Sequence, residues 1–157
     1  MDAQVAVESG FEGVTAFAAW DHGRLDEALR SVSAAVRAGH FADAAVRYEE
    51  FEVGLLRHFS IEEELLFPVF EARSGMNGPT AVMRDEHRHV MTALDIMRRG
   101  LLRTDAAAYG TGLRFLESVL LDHNSKEEHI LYPALDSLLR PSERALLVAR
   151  MQQESVR

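Results

Sequence analysis

The sequence predicts an all-α fold: an up-down-up-down four-helix bundle with a short additional helix at its C-terminal end. Leucine, alanine, glutamate and arginine dominate, whereas aromatic residues make up 8% and β-branched residues are sparse, a composition that favours helix. Four long segments repeat apolar residues at helical spacing, and glycine or proline separates them. Because short connections join long helices, consecutive helices are expected to be antiparallel and to form one domain of 157 residues.

Glycine ends the first two helices. The first is predicted over about residues 15–38 and stops at Gly39; the second, over about 41–73, is followed by the breaker stretch SGMNGP. Pro68 lies inside the second helix and Pro133 at the equivalent place in the fourth. Because proline lacks a backbone donor, each helix is expected to bend or end there.

Proline and aspartate mark the beginnings of the later helices. The third is predicted to begin near Pro79, where a first-turn proline loses no hydrogen bond, and to end at Gly100. The fourth is predicted over about residues 104–139, with Asp105 as a suitable N-cap. A short fifth helix is expected over about residues 141–154, again with proline in its first turn.

Each long helix has one apolar face, and polar residues interrupt the four faces at six positions. These faces are expected to pack around one core. The first helix contributes Ala18, His22, Leu25, Leu29, Val32 and Val36, and the second Phe51, Leu55, His58, Glu62, Leu65 and Val69. The third contributes Met83, His87, Val90, Met91, Leu94 and Met97, and the fourth Leu113, Leu116, Leu120, His123, Glu127, Ile130 and Ala134.

The polar residues on these faces belong to a repeat in which rare residues recur at one offset of 65 positions. On the second and fourth helices a histidine precedes a glutamate by four residues, which places both donors on one helix face, about 6 Å apart. The pattern indicates a site built twice, once per helical hairpin, with the two copies facing each other. The repeated pairs are His22/His87, His58/His123, Glu62/Glu127, Phe67/Tyr132 and Pro68/Pro133.

Four inward imidazoles and two inward carboxylates predict a metal centre. A buried ionised carboxylate is costly unless it is paired or coordinated, and two that face each other also repel. Imidazole together with carboxylate suits iron, manganese or zinc rather than magnesium or calcium. With Glu62 and Glu127 bridging, two metals would each receive two histidines and keep open positions for water or a small ligand. The predicted ligands are His22, His58, Glu62, His87, His123 and Glu127.

Other histidines and carboxylates are predicted to lie outside this centre. A ferritin-like site needs a Glu-x-x-His triplet on two helices, and the triplet from Glu86 to His89 has no copy at the 65-residue offset. Glu86 and His89 are therefore predicted at the surface, and His129 is predicted to face outward. Glu63, Glu64 and Glu128 are expected to be exposed or to hydrogen-bond the ligating histidines. The three tyrosines are interpreted as packing residues rather than ligands.

Four motifs in a fixed order resemble those of a known family. They are WDHGRLDEAL, HFSIEEELLFP, DEHRHVMTAL and HNSKEEHILYP, within about residues 15–138. In the order H…HxxxE…H…HxxxE, they resemble the six-ligand bacterial type of the hemerythrin-like, or HHE cation-binding, family. The resemblance implies one hemerythrin-like domain over residues 1–157, with the bundle at about 14–139. It also implies a non-haem di-iron centre that binds oxygen or a related small ligand, with zinc or manganese as possible replacements for the two iron ions.

The chain departs from the oxygen-carrying hemerythrins at two places. Those proteins have a second histidine one turn after the third-helix ligand, where this chain has Met91. Their last carboxylate is an aspartate five residues after its histidine, whereas here Glu127 is at four and Glu128 at five. With one imidazole fewer, a metal is less saturated, which favours redox chemistry or sensing over reversible oxygen carriage. Met91 is expected to lie beside the site.

Composition excludes several classes of function. A formal charge of −8 argues against a nucleic-acid partner, because a phosphate-binding protein needs a basic face. The chain has no cysteine, which excludes disulfides, zinc–thiolate sites, cysteine-bound iron–sulfur clusters and cysteine nucleophiles. The N-terminal MDAQVAVESG lacks an apolar signal core, and no apolar run approaches the length of a membrane span. A soluble cytoplasmic protein is therefore expected.

Three functions remain open on the sequence. The first is a binding protein whose di-iron centre takes up oxygen, nitric oxide or iron itself, for sensing, buffering or iron handling. The second is an oxidoreductase that reduces peroxide or nitric oxide at the same centre. The inward faces offer no dedicated acid–base residue beyond the ligands, which favours binding over turnover. The third is a structural zinc or mixed-metal site. The expected partner is a small diatomic ligand or peroxide, and no protein partner follows from the sequence.

Overall fold

The computed structural model describes residues 10–155 and confirms the all-α fold, with no strand among those residues. The stretch in which the sequence predicts no signal segment lies almost entirely outside the described residues. Helix α1 is Val14–Arg37, α3 is Gly78–Leu102 and α5 is Pro141–Ser155. Helix α2 is a continuous run of Phe41–Ile61, Glu62–Leu66 and Phe67–Ser74, and α4 one of Ala106–Lys126, Glu127–Leu131 and Tyr132–Leu138.

The helix ends lie within two residues of the predicted positions, for the predicted reasons. Gly39 follows α1 at φ 75°, a left-handed conformation that glycine adopts readily. Gly75 ends α2 at φ 72°, and its N–H donates to the Glu71 carbonyl at 2.9 Å. At the start of α4 the Asp105 carboxylate accepts a hydrogen bond from the Ala108 N–H at 3.0 Å.

Consecutive helices of the bundle are antiparallel. Contacts between two neighbours show this, because residue numbers rise along one helix as they fall along the other. Between α1 and α2 the contacts join Asp21 to His58 and Ser31 to Arg47. Between α3 and α4 they join Glu86 to His123 and bring Gly100 against the backbone of Tyr109. The end of α4 returns to the start of α1, where Asp136 accepts hydrogen bonds from the backbone of Val14 and Thr15.

Two apolar clusters fill the bundle on either side of a polar layer. One surrounds Leu25, Leu55 and Leu94, which are buried as predicted, whereas Leu120 is only half-buried beside this cluster. The other contains Phe67 and the buried face of α5. Helix α5 therefore closes the end of the bundle at which α1 begins and α2 and α4 end. Among the described residues, no helix is long and apolar enough to cross a membrane.

A π-helical turn interrupts α2 just before Pro68, and another interrupts α4 just before Pro133. In the first, the Phe67 N–H donates to the Glu62 carbonyl five residues earlier. Each turn inserts one extra residue, so the buried face downstream is shifted by one position. The uniform helical spacing predicted Ile130 in the core, and this was wrong: Ile130 is 67% exposed, and its neighbour Leu131 is buried instead.

The prediction that Met91 lies on the inward face of α3 was also wrong. Its side chain is 45% exposed, while Val90, one residue earlier, is fully buried. The buried positions of α3 follow Met83, His87, Val90, Leu94 and Met97, a narrow stripe that leaves Met91 at its solvent edge. Met91 therefore does not guard an open position of the predicted site.

Candidate metal centre

The structure brings all six predicted ligands together in the polar layer between the two apolar clusters. Their exposed fractions are 7% or less, although all six side chains can ionise and such groups are rarely buried. Four helices contribute: α1 and α3 one histidine each, and α2 and α4 a histidine and a glutamate each. Coordination by them stays a prediction. The residues are His22, His58, Glu62, His87, His123 and Glu127.

Each carboxylate lies between two imidazoles, one from its own helix and one from another. Every histidine points its Nε2 inward toward these oxygens. Around Glu62, Oε1 is 3.4 Å from His58 Nε2 and 3.2 Å from His87 Nε2. Around Glu127, Oε1 is 3.1 Å from His22 Nε2 and Oε2 is 3.3 Å from His123 Nε2. The two halves of the repeat therefore do face each other, as the 65-residue offset predicted.

The donor atoms divide into two overlapping groups. In the first, one atom from each of Glu62, His87, His123 and Glu127 lies within 4.8 Å of the others. In the second, His22, His58 and Glu127 meet the same condition. Because Glu127 belongs to both groups and carries two oxygens, it can serve two ions at once. Each group takes both histidines from one helical hairpin.

Several of the inward atoms have no hydrogen-bond partner among the described residues. They include both oxygens of Glu62, Oε1 of Glu127, and Nε2 of His87 and His123. A buried polar atom left without a partner costs about 1–3 kcal/mol, so five in one layer are a large local cost. A cation between them would satisfy all of these atoms. The donor set therefore fits a metal.

Protonation is divided unequally between the two carboxyl groups. Burial, together with the charge of Glu127, raises the pKa of Glu62 well above its usual range. Burial opposes ionisation of Glu127 as well, but the nearby polar groups of Glu62, His123 and His22 favour its ionised form and hold its pKa well below the usual range. Without metal, protonation is therefore favoured at Glu62 and ionisation at Glu127, as expected for two carboxylates that share one cavity.

The imidazole of His87 is held neutral. Burial, reinforced by the neighbouring His123, lowers the pKa of His87 to about 3. The Phe59 ring stacks on it, with centroids 3.8 Å apart and planes inclined by 15°. Its Nε2 lone pair is therefore available to a metal at neutral pH, and the ring orientation is fixed before any metal binds.

A second set of carboxylates lies outside the histidines and faces their Nδ1 atoms. Such outer carboxylates orient a ligating imidazole and increase its basicity. The partners of His58, His123 and His87 are Asp21 at 2.8 Å, Glu86 at 2.9 Å and Glu63 at 3.2 Å. Glu128 lies 3.6 Å from His22 Nδ1, which is beyond hydrogen-bonding distance.

The prediction that Glu86 is a surface residue was wrong, and the role of Asp21 was missed. Glu86 is largely buried, and besides His123 it accepts from Lys126 Nζ at 2.6 Å. The 65-residue repeat could have identified both carboxylates. Asp21 directly precedes the predicted ligand of α1, Glu86 directly precedes that of α3, and the two are 65 positions apart. His89 and His129 are exposed, as predicted.

Tyr132 makes the two halves of the centre unequal. Its hydroxyl donates to Glu127 Oε2 at 3.1 Å, and its side chain is fully buried. The equivalent position in the first half is Phe67, which has no hydroxyl to offer Glu62. Tyr132 was interpreted as a packing residue, and it does pack in the core, but it also donates a hydrogen bond that orients the Glu127 carboxylate.

Comparison with known proteins agrees with this geometry. The sequence model of the hemerythrin HHE cation binding domain matches residues 19–135, which include all six inward donors. The iron-sulfur cluster repair protein YtfE of Edwardsiella ictaluri (strain 93-146) is 34% identical over 87 residues, 48% of this chain. The match covers 39% of that relative, so the chain spans much less than its full length. No solved structure matches the chain.

Proposed function

The chain belongs to the family of hemerythrin HHE cation-binding domains, and from that premise we propose that it is a non-haem di-iron protein. The proposed centre binds dioxygen, nitric oxide or a related small ligand, for sensing, buffering or iron handling. The proposed ligands are the six inward residues, His22, His58, Glu62, His87, His123 and Glu127.

The sharing of Glu127 between two donor groups is the observation that supports this proposal most directly. A mononuclear centre at Glu62, His87, His123 and Glu127 would leave His22 and His58 buried without a use. Two ions with a shared carboxylate use every inward donor. Two ionised carboxylates that face each other in one buried layer also repel unless cations lie between them.

The donor set favours iron over zinc. Each ion would receive three or four protein donors, of nitrogen and carboxylate oxygen. A structural zinc is satisfied by four donors, whereas iron accepts further ligands at open positions. Bound iron would supply the open position and the redox chemistry. The chain itself holds the donors in place through the outer carboxylates and keeps bulk water away with Phe59 and Phe67.

Iron handling is proposed from the relative as well as from the site. The similar protein from Edwardsiella is described as an iron-sulfur cluster repair protein. Because the matched segment covers only part of that protein, its activity is not transferred whole. We extend to this chain only a role that involves iron.

Turnover of peroxide or nitric oxide is the second candidate, and Tyr132 favours it. The sequence showed no acid–base residue beside the ligands, but the Tyr132 hydroxyl is a buried O–H donor to Glu127. A proton held at that oxygen is within one hydrogen bond of the centre. Binding without turnover remains the first proposal, because no second donor of this kind adjoins Glu62 among the described residues.

The test is anaerobic reconstitution of metal-free protein with ferrous iron, followed by exposure to nitric oxide, dioxygen and peroxide. Two iron ions per chain and a saturable new absorption band with nitric oxide or dioxygen are expected. The control is Glu62→Gln/Glu127→Gln, which keeps the shape of both side chains and is expected to hold no stable iron pair. Consumption of many equivalents of peroxide or nitric oxide would favour the enzyme. One zinc per chain and no spectral response would contradict the proposal.

A further inference from the structure

A cleft of about 540 Å³ opens between α1 and α4 beside the candidate centre. These two helices contact each other much less closely over this stretch than α1 contacts α2 or α3 contacts α4. Small residues of α1, Ala19 and Gly23, form part of the wall, and Leu120 and Asn124 of α4 lie opposite. The space reaches inward as far as His22, one of the six predicted ligands.

His22 is the predicted ligand that is least firmly held. His22 is only 5% exposed, yet its Nδ1, which faces the cleft, has no hydrogen-bond partner among the described residues. Glu128 is the nearest carboxylate, and its Oε1 lies 3.6 Å from that nitrogen. The other three histidines each have an outer carboxylate at 3.2 Å or less. The unpartnered Nδ1 is a donor that a cation in the cleft could use.

The remaining polar residues of the cleft give it a negative charge. Asp26, Glu117 and Glu128 line it, and no lysine or arginine does so among the described residues. Carboxylates without compensating cations raise the local concentration of positive ions and accelerate their arrival. Asn124 and Ser125 add neutral oxygen donors on the α4 side.

We propose that this cleft is the passage through which a divalent cation enters and leaves the centre. The proposal rests on the dinuclear centre proposed above and names its exchangeable side. Glu128, His22 and Glu127 form a relay: Glu128 faces His22 Nδ1, and His22 Nε2 lies 3.1 Å from Glu127 Oε1. The position at His22, His58 and Glu127 therefore exchanges through the cleft. The position at Glu62, His87, His123 and Glu127 is formed by side chains that are 3% exposed or less, so its ion is expected to exchange more slowly.

A second groove of similar volume does not provide this passage. It runs between α3 and the end of α4, over Phe70, Met83 and Leu131, and its surface is almost entirely apolar. The charged residue beside it, Lys126, is positive and already paired with Glu86. It offers a divalent cation no ligand on the way in.

The rate at which metal-free protein takes up Co²⁺ tests the passage, because bound cobalt is followed directly by its absorption. Asp26→Asn/Glu117→Gln/Glu128→Gln removes the three cleft charges. Uptake is expected in two phases, of which the faster one fills the position at His22, His58 and Glu127. In the triple variant this phase should slow on the order of tenfold at low salt and lose most of its salt dependence. The final stoichiometry should stay at two ions per chain, as proposed for the wild type.

The matched control removes three exposed carboxylates of α2 that do not line the cleft: Asp43→Asn/Glu49→Gln/Glu50→Gln. It changes the net charge equally and should leave the fast phase nearly unchanged. A steric variant, Gly23→Leu, adds no charge and places its side chain where no atom lies within 4 Å of the added Cβ. It should slow the same phase, with Gly23→Ala as its control for helix stability.

The outcomes separate the two proposals. Wild-type protein that takes up no second Co²⁺ would contradict the dinuclear centre and, with it, the passage. Wild-type protein that takes up two ions at the same rate as the cleft triple variant would contradict the passage alone. A slowdown in the cleft triple variant and in Gly23→Leu, with both controls unaffected, supports it.

Discussion

At the scale of single residues, the outer carboxylates decide how well the inward imidazoles can bind. Asp21 and Glu86 accept from the Nδ1 atoms of His58 and His123, so each imidazole presents the lone pair of its Nε2 to the centre. Arg24 in turn binds Asp21 at 2.8 Å, which restricts that carboxylate to one orientation. The orientation of an inward imidazole therefore depends on the outer carboxylate that binds it, and the orientation of Asp21 depends in turn on Arg24.

Replacing these outer partners tests this dependence. Asp21→Asn and Glu86→Gln each keep an oxygen acceptor but remove its charge, and each is expected to weaken metal binding by roughly 10–100-fold. Competition against a chromogenic chelator measures the affinity. The control is Asp85→Asn, an exposed carboxylate next to Glu86. Equal affinities in Asp85→Asn and Glu86→Gln would show that the charge on Glu86 does not act on the centre.

The sequence predicted the inward donors well because they are rare and repeat at one offset. It did not reveal that Tyr132 donates to Glu127, because a tyrosine in an apolar face is consistent with packing alone. The prediction also placed Glu86 at the surface, because Glu86 was considered only as part of a ferritin-like Glu-x-x-His triplet and not as the repeat equivalent of Asp21. The 65-residue offset between Asp21 and Glu86 indicates that the two carboxylates are equivalent.

At the scale of elements, the two π-turns connect the centre to the proline residues that follow. In each turn the backbone carbonyl of the predicted bridging glutamate accepts the bond from the residue five positions later. Pro68 and Pro133 then lie in the first turn of the next α-helical segment, where a missing N–H costs little. One extra residue thus allows a proline inside a long helix.

Deleting Glu64, an exposed residue of the first π-turn, tests this arrangement. The shortened α2 should become a regular α-helix with the same buried residues downstream, but Pro68 would then lie in its interior. Metal-free protein should lose about 3 kcal/mol of unfolding free energy in urea denaturation. Adding Pro68→Ala to the deletion should recover most of that loss. A double variant no more stable than the deletion alone would show that the turn does not accommodate proline.

Uniform periodicity could predict the number, order and ends of the helices, but not the buried face beyond each π-turn. Ile130 was placed inward for this reason, whereas the structure exposes it and buries Leu131 instead. The amino-acid composition of a π-turn does not distinguish it from the α-helix on either side, so the extra residue cannot be located from composition. A proline in mid-helix, repeated at the 65-residue offset, was the visible indication that the backbone changes there.

At the scale of the whole molecule, a polar layer divides the apolar core into two clusters. The antiparallel bundle followed from short connections and apolar faces. The unequal spacing of the helices, which opens the cleft between α1 and α4, depends on side-chain packing that no periodicity describes. The stability of this bundle should therefore depend on what satisfies the polar layer.

Replacing both inward carboxylates tests this dependence. Glu62→Gln/Glu127→Gln should abolish tight metal binding, yet leave metal-free protein as stable as wild type or more stable, because neutral amides avoid charge burial and repulsion. Metal should raise the melting temperature of wild type strongly and that of the variant little, since it binds only the folded state. Calorimetry with and without metal measures both. Metal-free variant that melts well below metal-free wild type would show that the two carboxylates do not oppose each other.

The pH dependence of metal-free stability follows from the raised pKa of Glu62. Above about pH 4.5 the unfolded chain releases this proton while the folded chain keeps it, so Glu62 lowers the unfolding free energy as pH rises. Glu127 acts oppositely: its lowered pKa contributes stability above pH 4.5 that is lost as pH falls.

Glu62→Gln isolates the first effect from pH 5 to 7, because Glu127 stays ionised throughout that interval. Relative to wild type, the variant should gain up to about 1.4 kcal/mol of unfolding free energy per pH unit. Urea denaturation of both metal-free proteins at several pH values measures the gain, with exposed Glu50→Gln as the control. A difference between variant and wild type that does not change with pH would show that Glu62 ionises normally and is not buried opposite Glu127.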